Sequence, residues 1–333
     1  LRSPALVYDE SQGYVLLFGG TNTGESIFPE STWIWKGDAW EQVASTGPHG
    51  RMGLSMAYDP QRERVVLAGG WFERETELWD TWEWDGFEWN EVTGSSPPAA
   101  GTLAVTYDMS RRRIVLFGPN GTFGSDDTWE WNGTSWNMVA DSGPSQRSRS
   151  ALAYDFANSK TILFGGLDPT YACTGGSSRV CGDTWSWNGS SWIKLSSTGV
   201  SSRTSHAMAY DFNRQKIVLF GGVLGPFGTN VPVGDTWEWN GSSWTKMADW
   251  GSCTGCTVCQ ESTCPSPRYY HNMLFNSSRG KVMLTGGTDK GNETWEWNGS
   301  TWTRLTDSGH PGLTSDTNRS EEHTSELQSR SDL

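Results

Sequence analysis

A Thr-Trp-x-Trp segment followed five residues later by a third Trp occurs six times in this chain, and it constrains the fold more than any other feature. The third copy reads Asp127-Thr-Trp-Glu-Trp-Asn-Gly-Thr-Ser-Trp136 and the fifth reads Asp235-Thr-Trp-Glu-Trp-Asn-Gly-Ser-Ser-Trp244. The first copy, Ser31-Thr-Trp-Ile-Trp-Lys-Gly-Asp-Ala-Trp40, is looser. In every copy the first and third Trp lie seven residues apart. Thr and Trp alternate with polar residues at period two, and Asn-Gly supplies two positive-φ positions, so each copy predicts a β-hairpin with a tight turn. The length of 333 residues would allow two domains. A sixfold repeat overrides that, because stacked repeats share one continuous core. Three Trp per repeat account for all of the 21 except Trp71, Trp79 and Trp250, so the tryptophan content is architecture and not a ligand site.

A second block precedes each hairpin. It runs Ala57-Tyr-Asp-Pro to Val65-Val-Leu-Ala-Gly-Gly70 in the second repeat and Ala209-Tyr-Asp-Phe to Ile217-Val-Leu-Phe-Gly-Gly222 in the fifth. The third repeat carries Gly118-Pro119 in place of Gly-Gly, and the sixth reads Phe275-Asn276 and Leu284-Thr-Gly-Gly287. The near-continuous apolar run before Gly-Gly predicts a strand buried on both faces. Each repeat is thus four strands, and six such units at a period near fifty residues read as an all-β propeller of six blades. The Gly-Gly pair, the Trp-x-Trp strand and the later Trp resemble kelch repeats, in a variant common in bacterial proteins. The resemblance spans Arg2 to about Leu305 and implies fold far more than function, because kelch propellers serve as binding platforms and as enzyme scaffolds.

The expected division is a propeller over residues 1–305, a link or the start of a further blade over 306–318, and a tail over 319–333. That tail, from Arg319-Ser-Glu-Glu-His, resembles a translated sequencing adapter and has no strand pattern. Six blades in phase leave no strand for the two ends to share. Either packing alone closes the ring or another blade lies beyond one end. Leu1 enters directly at a repeat, which suggests a cut N-terminus, so the lack of a signal peptide carries no weight.

Loop lengths distinguish two faces. The second Gly and the first Trp are separated by eight residues in the sixth repeat and by nineteen in the fourth. The link from the third Trp to the next Tyr position is eighteen residues in four of five cases; from Trp244 to Phe275 it is thirty-one. Both variable connections emerge at the same face, and variable loops on a rigid scaffold are where binding resides. Aromatic residues outside the repeat pattern fall there: Phe28, Trp71, Phe72, Trp79, Phe123, Tyr171, Phe227 and Trp250. They suit contacts to a protein or a glycan, or they pack beneath their own loops. The net charge of −13 argues against nucleic acid and anionic membranes, and no apolar run is long enough to span a bilayer.

All six Cys also lie in variable-face segments. Cys173 and Cys181 read as one disulfide. Cys253, Cys256, Cys259 and Cys264 sit together in the long fifth link and read as two disulfides pinning an exposed loop, with three connectivities open. That reading implies an extracellular or periplasmic protein with no cofactor. The alternative is zinc or iron on the four thiolates.

His206 and His271 each follow an Arg by three residues, at matching points of the first strand. One reading makes them channel-side metal ligands or bases; the other makes them occupants of a slot that is Leu54 and Ser150 elsewhere. With Tyr269 and Tyr270 they resemble parts of the galactose-oxidase copper site, but no core-strand Cys is present to complete it. Asp80, Asp127, Asp183 and Asp235 could ring a cation or cap the turn into the third strand. Arg51, Arg147 or Arg149, Arg203 and Arg268 are expected to pair with carboxylates of the neighbouring blade. Asn132, Asn188, Asn240 and Asn298 match the glycosylation acceptor pattern, which turn chemistry already explains.

No catalytic constellation emerges. The leading reading is a non-catalytic binding propeller. The alternatives are a metalloenzyme or oxidoreductase on a galactose-oxidase-like scaffold, and a structural module of a larger surface protein.

Overall fold

A computed structural model describes residues 3–21, 28–37, 39–72, 76–96, 103–119, 126–175, 178–196, 199–225, 231–250, 257–260, 263–288 and 293–306. These form six antiparallel blades of the expected strand order. In blade 5 the strands are Ala207–Asp211, Lys216–Phe220, Thr236–Trp239 and Trp244–Trp250. The innermost strands of the others are Ala5–Asp9, Ser55–Asp59, Ala104–Asp108, Ala151–Asp155 and His271–Asn276. Successive innermost strands neighbour one another all the way around, and His271–Asn276 returns to Ala5–Asp9.

The core is a set of inter-blade seams. Each of the six seams has its own buried cluster, such as Phe164, Ile217, Leu219 and Trp239 between blades 4 and 5. The closing seam packs Leu6, Val15, Leu17 and Trp35 of blade 1 against Leu274 and Met283 of blade 6. There, Asn272 Nδ2 donates to the Pro4 carbonyl at 2.7 Å. Among the described residues, packing therefore closes the ring with six blades and no strand shared between the first and the last. Residues 307–318 of the expected link and the tail over 319–333 lie outside the described residues.

The repeated residues staple these seams. The third Trp of a blade donates its indole N–H to the Thr that opens the third strand of the preceding blade: Trp89 to Thr32 at 2.8 Å, Trp136 to Thr81 at 3.0 Å, Trp192 to Thr128 at 2.8 Å, Trp244 to Thr184 at 3.0 Å and Trp302 to Thr236 at 2.9 Å. The Gly-Gly pair is steric in origin. A Cβ on Gly19 (φ +71°) would lie 2.6 Å from the Arg51 carbonyl, and the Gly20 N–H donates to that same oxygen at 2.7 Å. Gly166 and Gly222 bond the carbonyls of Arg203 and Arg268 in the same way. Pro119 has no N–H to offer at the equivalent point of blade 3.

Three expectations need correction. First, the strand 3–4 turn is not a two-residue Asn-Gly turn. Trp131 pairs with Trp136, so four residues form the loop, and Gly133 but not Asn132 has positive φ. Asn132 Oδ1 instead accepts the N–H groups of Thr134 and Ser135, each at 2.9 Å. Second, the recurring arginines pair within their own blade. Arg147 and Arg203 reach Asp183 and Asp235 at 2.6 Å, and Arg51 and Arg268 reach Asp80 and Glu293. The side chain crosses its own Gly-Gly corner while the backbone carbonyl serves the preceding blade. Third, Asp80, Asp183 and Asp235 neither ring a cation nor cap a turn. Each holds an Arg and also accepts an indole N–H, from Trp82, Trp185 and Trp237, at 2.7 Å.

Candidate functional site

The variable loops build secondary structure of their own above the ring. Trp71–Phe72 pairs with Thr76–Glu77, and Trp71 exchanges backbone hydrogen bonds of 2.9 and 3.0 Å with Met52 of the preceding link. Arg203–Thr204, Val223–Leu224 and Val231–Pro232 form a small sheet over blade 5. The fourth-repeat loop is organised by Asp168, whose buried carboxylate accepts hydrogen bonds from Ser145, Thr170 and the Cys173 N–H at 2.6–2.8 Å. Burial alone would raise its pKa, but these donors outweigh burial and hold it below the ordinary carboxylate value.

Cys173 and Cys181 are joined as expected, with their Cα atoms 5.7 Å apart. Asp168, Cys173 and Cys181 also lie close enough together for three metal donors, but the disulfide leaves them no thiolate. Cys259 and Cys264 form a second disulfide; Cys253 and Cys256 lie outside the described residues. The second bridge closes a loop whose described residues Gln260 and Thr263 are exposed, while its two cysteines are buried. Thr257–Cys259 adds a fifth strand, parallel to the outer edge of blade 5, and both sulfurs pack into the seam between blades 5 and 6. Two bridged pairs point to an oxidising compartment.

The aromatic candidates separate into groups. Phe28 and Phe72 meet at 5.8 Å across the loops of blades 1 and 2, and His49 stacks on Phe72 at 5.9 Å with its Nδ1 3.2 Å from Glu30. Trp71 precedes Phe72 on the same short strand, and Trp79 is 44% exposed. Tyr171 is exposed on the disulfide loop with Arg179 4.8 Å above its ring. Trp250 is half-buried against the seam of blades 5 and 6 and acts as core. Phe123 and Phe227 lie outside the described residues.

At the centre of this face the channel opens as a cavity of about 130 Å³ lined by Leu54, Arg149, Ser150, His206, Tyr270 and His271, among others. Both histidines are buried. His271 Nε2 stands 3.1 Å from the Phe220 carbonyl, and burial followed by the Arg268 charge pushes its pKa down to about 3. His206 is lowered well below its ordinary value by burial, then by Arg203 and by His271. Neither is poised as a base near neutral pH. Tyr269 stacks on Tyr270 at 5.0 Å, and Arg149 lies over Tyr270 at 5.6 Å. The rim is knitted by backbone bonds between left-handed residues: Tyr270 donates to Ser205 at 3.1 Å and Ser205 to Arg149 at 2.9 Å.

The opposite mouth is a wider opening that the sequence reading passed over. It is lined by the tyrosines of the Tyr-Asp pairs and by the residue after each Asp, including Glu10, Met109, Phe156 and Phe212. The signal was available, since that position recurs at a fixed place in every repeat. It resembled an ordinary polar turn.

No protein-family model and no curated protein matches this chain. Among solved structures it is similar to one described as "Structure of YjhT", with a TM-score of 0.64 and 14% identity over 92% of this chain and 97% of that one. Likeness at this identity bears on the fold alone. It agrees with a propeller over most of the chain.

Proposed function

We propose that the chain is a kelch-type propeller, extracellular or periplasmic, that binds a protein or a glycan through its variable face. The observation that carries this reading is the meeting of Phe28, Phe72 and His49 across two loops of different blades, with exposed Trp79 in the same variable segment. Aromatic side chains held by neighbouring loops offer a large contact area at little ordering cost. The disulfide of the fourth-repeat loop and the bonds around Asp168 stiffen another part of this face, which further lowers the entropic cost of binding. The ring beneath is the scaffold that holds these loops.

The test is an array of glycans and peptides probed with the wild type and with a Phe72→Ala/Trp79→Ala variant. Wild-type binding that falls by at least about tenfold in the variant supports the reading. A wild type that binds nothing on the array, or a variant that binds equally well, overturns it.

A further inference from the structure

The channel mouth on the constant face is a cavity of about 220 Å³. Its wall is aromatic over blades 4 to 6. Phe156 stacks on Phe212 at 4.2 Å, Phe212 on Phe275 at 5.3 Å, Tyr154 on Phe156 at 4.8 Å and Tyr210 on Phe212 at 5.2 Å. Phe212 is 40% exposed and Met109 is 39% exposed, so large apolar side chains face outward here from the short turns.

The polar side chains of this wall are five tyrosines, Thr106 and Glu10. The phenol oxygens of Tyr58, Tyr154 and Tyr210 accept backbone N–H groups from Ser11, Ser110 and Ala157 of the preceding blades at 3.0–3.2 Å. Among the described residues that line the cavity there is no Lys, Arg or His, and Glu10 is the one carboxylate. Carboxylates also stand behind the tyrosines. Tyr107 is pushed up to about 12, first by burial and then by the Asp59 charge, with Arg112 and Arg113 opposing; Tyr210 is raised by burial, Asp155 and Asp211.

We propose that this mouth is a second binding site, for a small organic cation of the alkyl- or arylammonium class. Its apolar surface would lie on Phe156, Phe212 and Met109, and its charge would face the aromatic wall and Glu10. The lining selects this class by exclusion. A bare metal ion needs several oxygen ligands, charged ones above all, and one carboxylate among five neutral phenols, three of them engaged, does not supply them. An anion would meet Glu10 and the ring edges with no cation in the lining to receive it. An ammonium ion carrying carbon substituents is attracted by the π faces and loses little hydration on entry. The site lies at the opposite end of the channel from the variable face, so it is independent of what binds there.

The experiment is calorimetric titration of the intact protein with benzyltrimethylammonium and with a neutral alcohol of similar shape, 2,2-dimethyl-1-phenylpropan-1-ol, repeated on Phe212→Ala and Glu10→Gln. Both substituted side chains are exposed enough to be replaced without opening a seam. The cation is expected to bind at least about tenfold more tightly than the alcohol, a difference of roughly 1.4 kcal/mol. Phe212→Ala is expected to weaken both ligands, and Glu10→Gln the cation alone. Absence of cation binding, equal affinity for the alcohol, or affinity unchanged in both variants overturns the proposal.

Discussion

Arg203 grips Asp235 with two hydrogen bonds, of 2.6 and 2.8 Å, inside blade 5, and no part of the Arg203 side chain reaches solvent. A third bond ties it to the Gly221 carbonyl at 2.9 Å. Removing one partner strands a buried charge. Asp235→Ala is therefore expected to cost about 3–5 kcal/mol, and the double change Arg203→Met/Asp235→Leu markedly less. Urea unfolding of the three proteins checks this; a double variant as unstable as the single one would contradict it.

The indole-to-threonine staples have a smaller, separable value. Thr128→Val keeps the shape at the seam but leaves the Trp192 N–H without its acceptor at 2.8 Å. A loss of about 1–3 kcal/mol is expected, against under about 0.5 kcal/mol for Thr303→Val on an exposed strand surface. Thermal melts of both variants make the comparison.

Acidification should weaken the fold in two windows. His271 titrates near 6.5 when unfolded but only at about 3 when folded, so below pH 6.5 the unfolded chain holds the extra proton. Stability then falls as pH drops from about 6.5 towards 3, by up to roughly 1.4 kcal/mol per pH unit from this residue, and is unaffected by it above that range. The Asp235 pKa would be raised by burial, but its bonds and charge interaction with Arg203 lower it overall. Its contribution is present above the ordinary carboxylate pKa and disappears only as pH falls through the lower folded value. Unfolding free energies at pH 7.5 and pH 5 should show the histidine slope, and His271→Leu, which copies Leu54 in the same slot, should reduce it and leave the part due to buried His206, whose pKa is also lowered.

The two disulfides should differ in accessibility. Cys173 is partly exposed, whereas Cys259 and Cys264 are each 1% exposed. A thiol reductant under native conditions is expected to open Cys173–Cys181 first, and alkylation followed by peptide mass analysis identifies the order. Replacing Cys173 and Cys181 together by Ala should cost about 2–3 kcal/mol, the value for closing a short loop.

The blades were legible because their signals are local. Trp-x-Trp alternation, the apolar run before Gly-Gly and their constant spacing each lie within a few residues. What the sequence concealed depends on partners far apart in the chain. Arg203 and Asp235 are 32 residues apart, and nothing local distinguishes a partner in the same blade from one next door. The Asn132 turn misled because Trp131–Trp136 pairing sets a longer loop than the Asn-Gly dipeptide suggests. The strand Thr257–Cys259 is three residues long and pairs in parallel with Ala248–Trp250, so cysteine spacing could reveal a bridge there but not an added strand. On the variable face, Phe28 and Phe72 belong to different repeats, and only the curvature of the ring brings them together.

The seam between blades 6 and 1 closes the ring. Hydrogen exchange of the intact chain tests that seam directly. If Leu6, Leu17, Leu274 and Met283 pack as described, amides of Ala5–Asp9 and His271–Asn276 should exchange as slowly as those of Ala151–Asp155 on the far side of the ring. Exchange of the two terminal blades orders of magnitude faster than that of blade 4 would mean an open array, and would contradict the closed six-bladed scaffold.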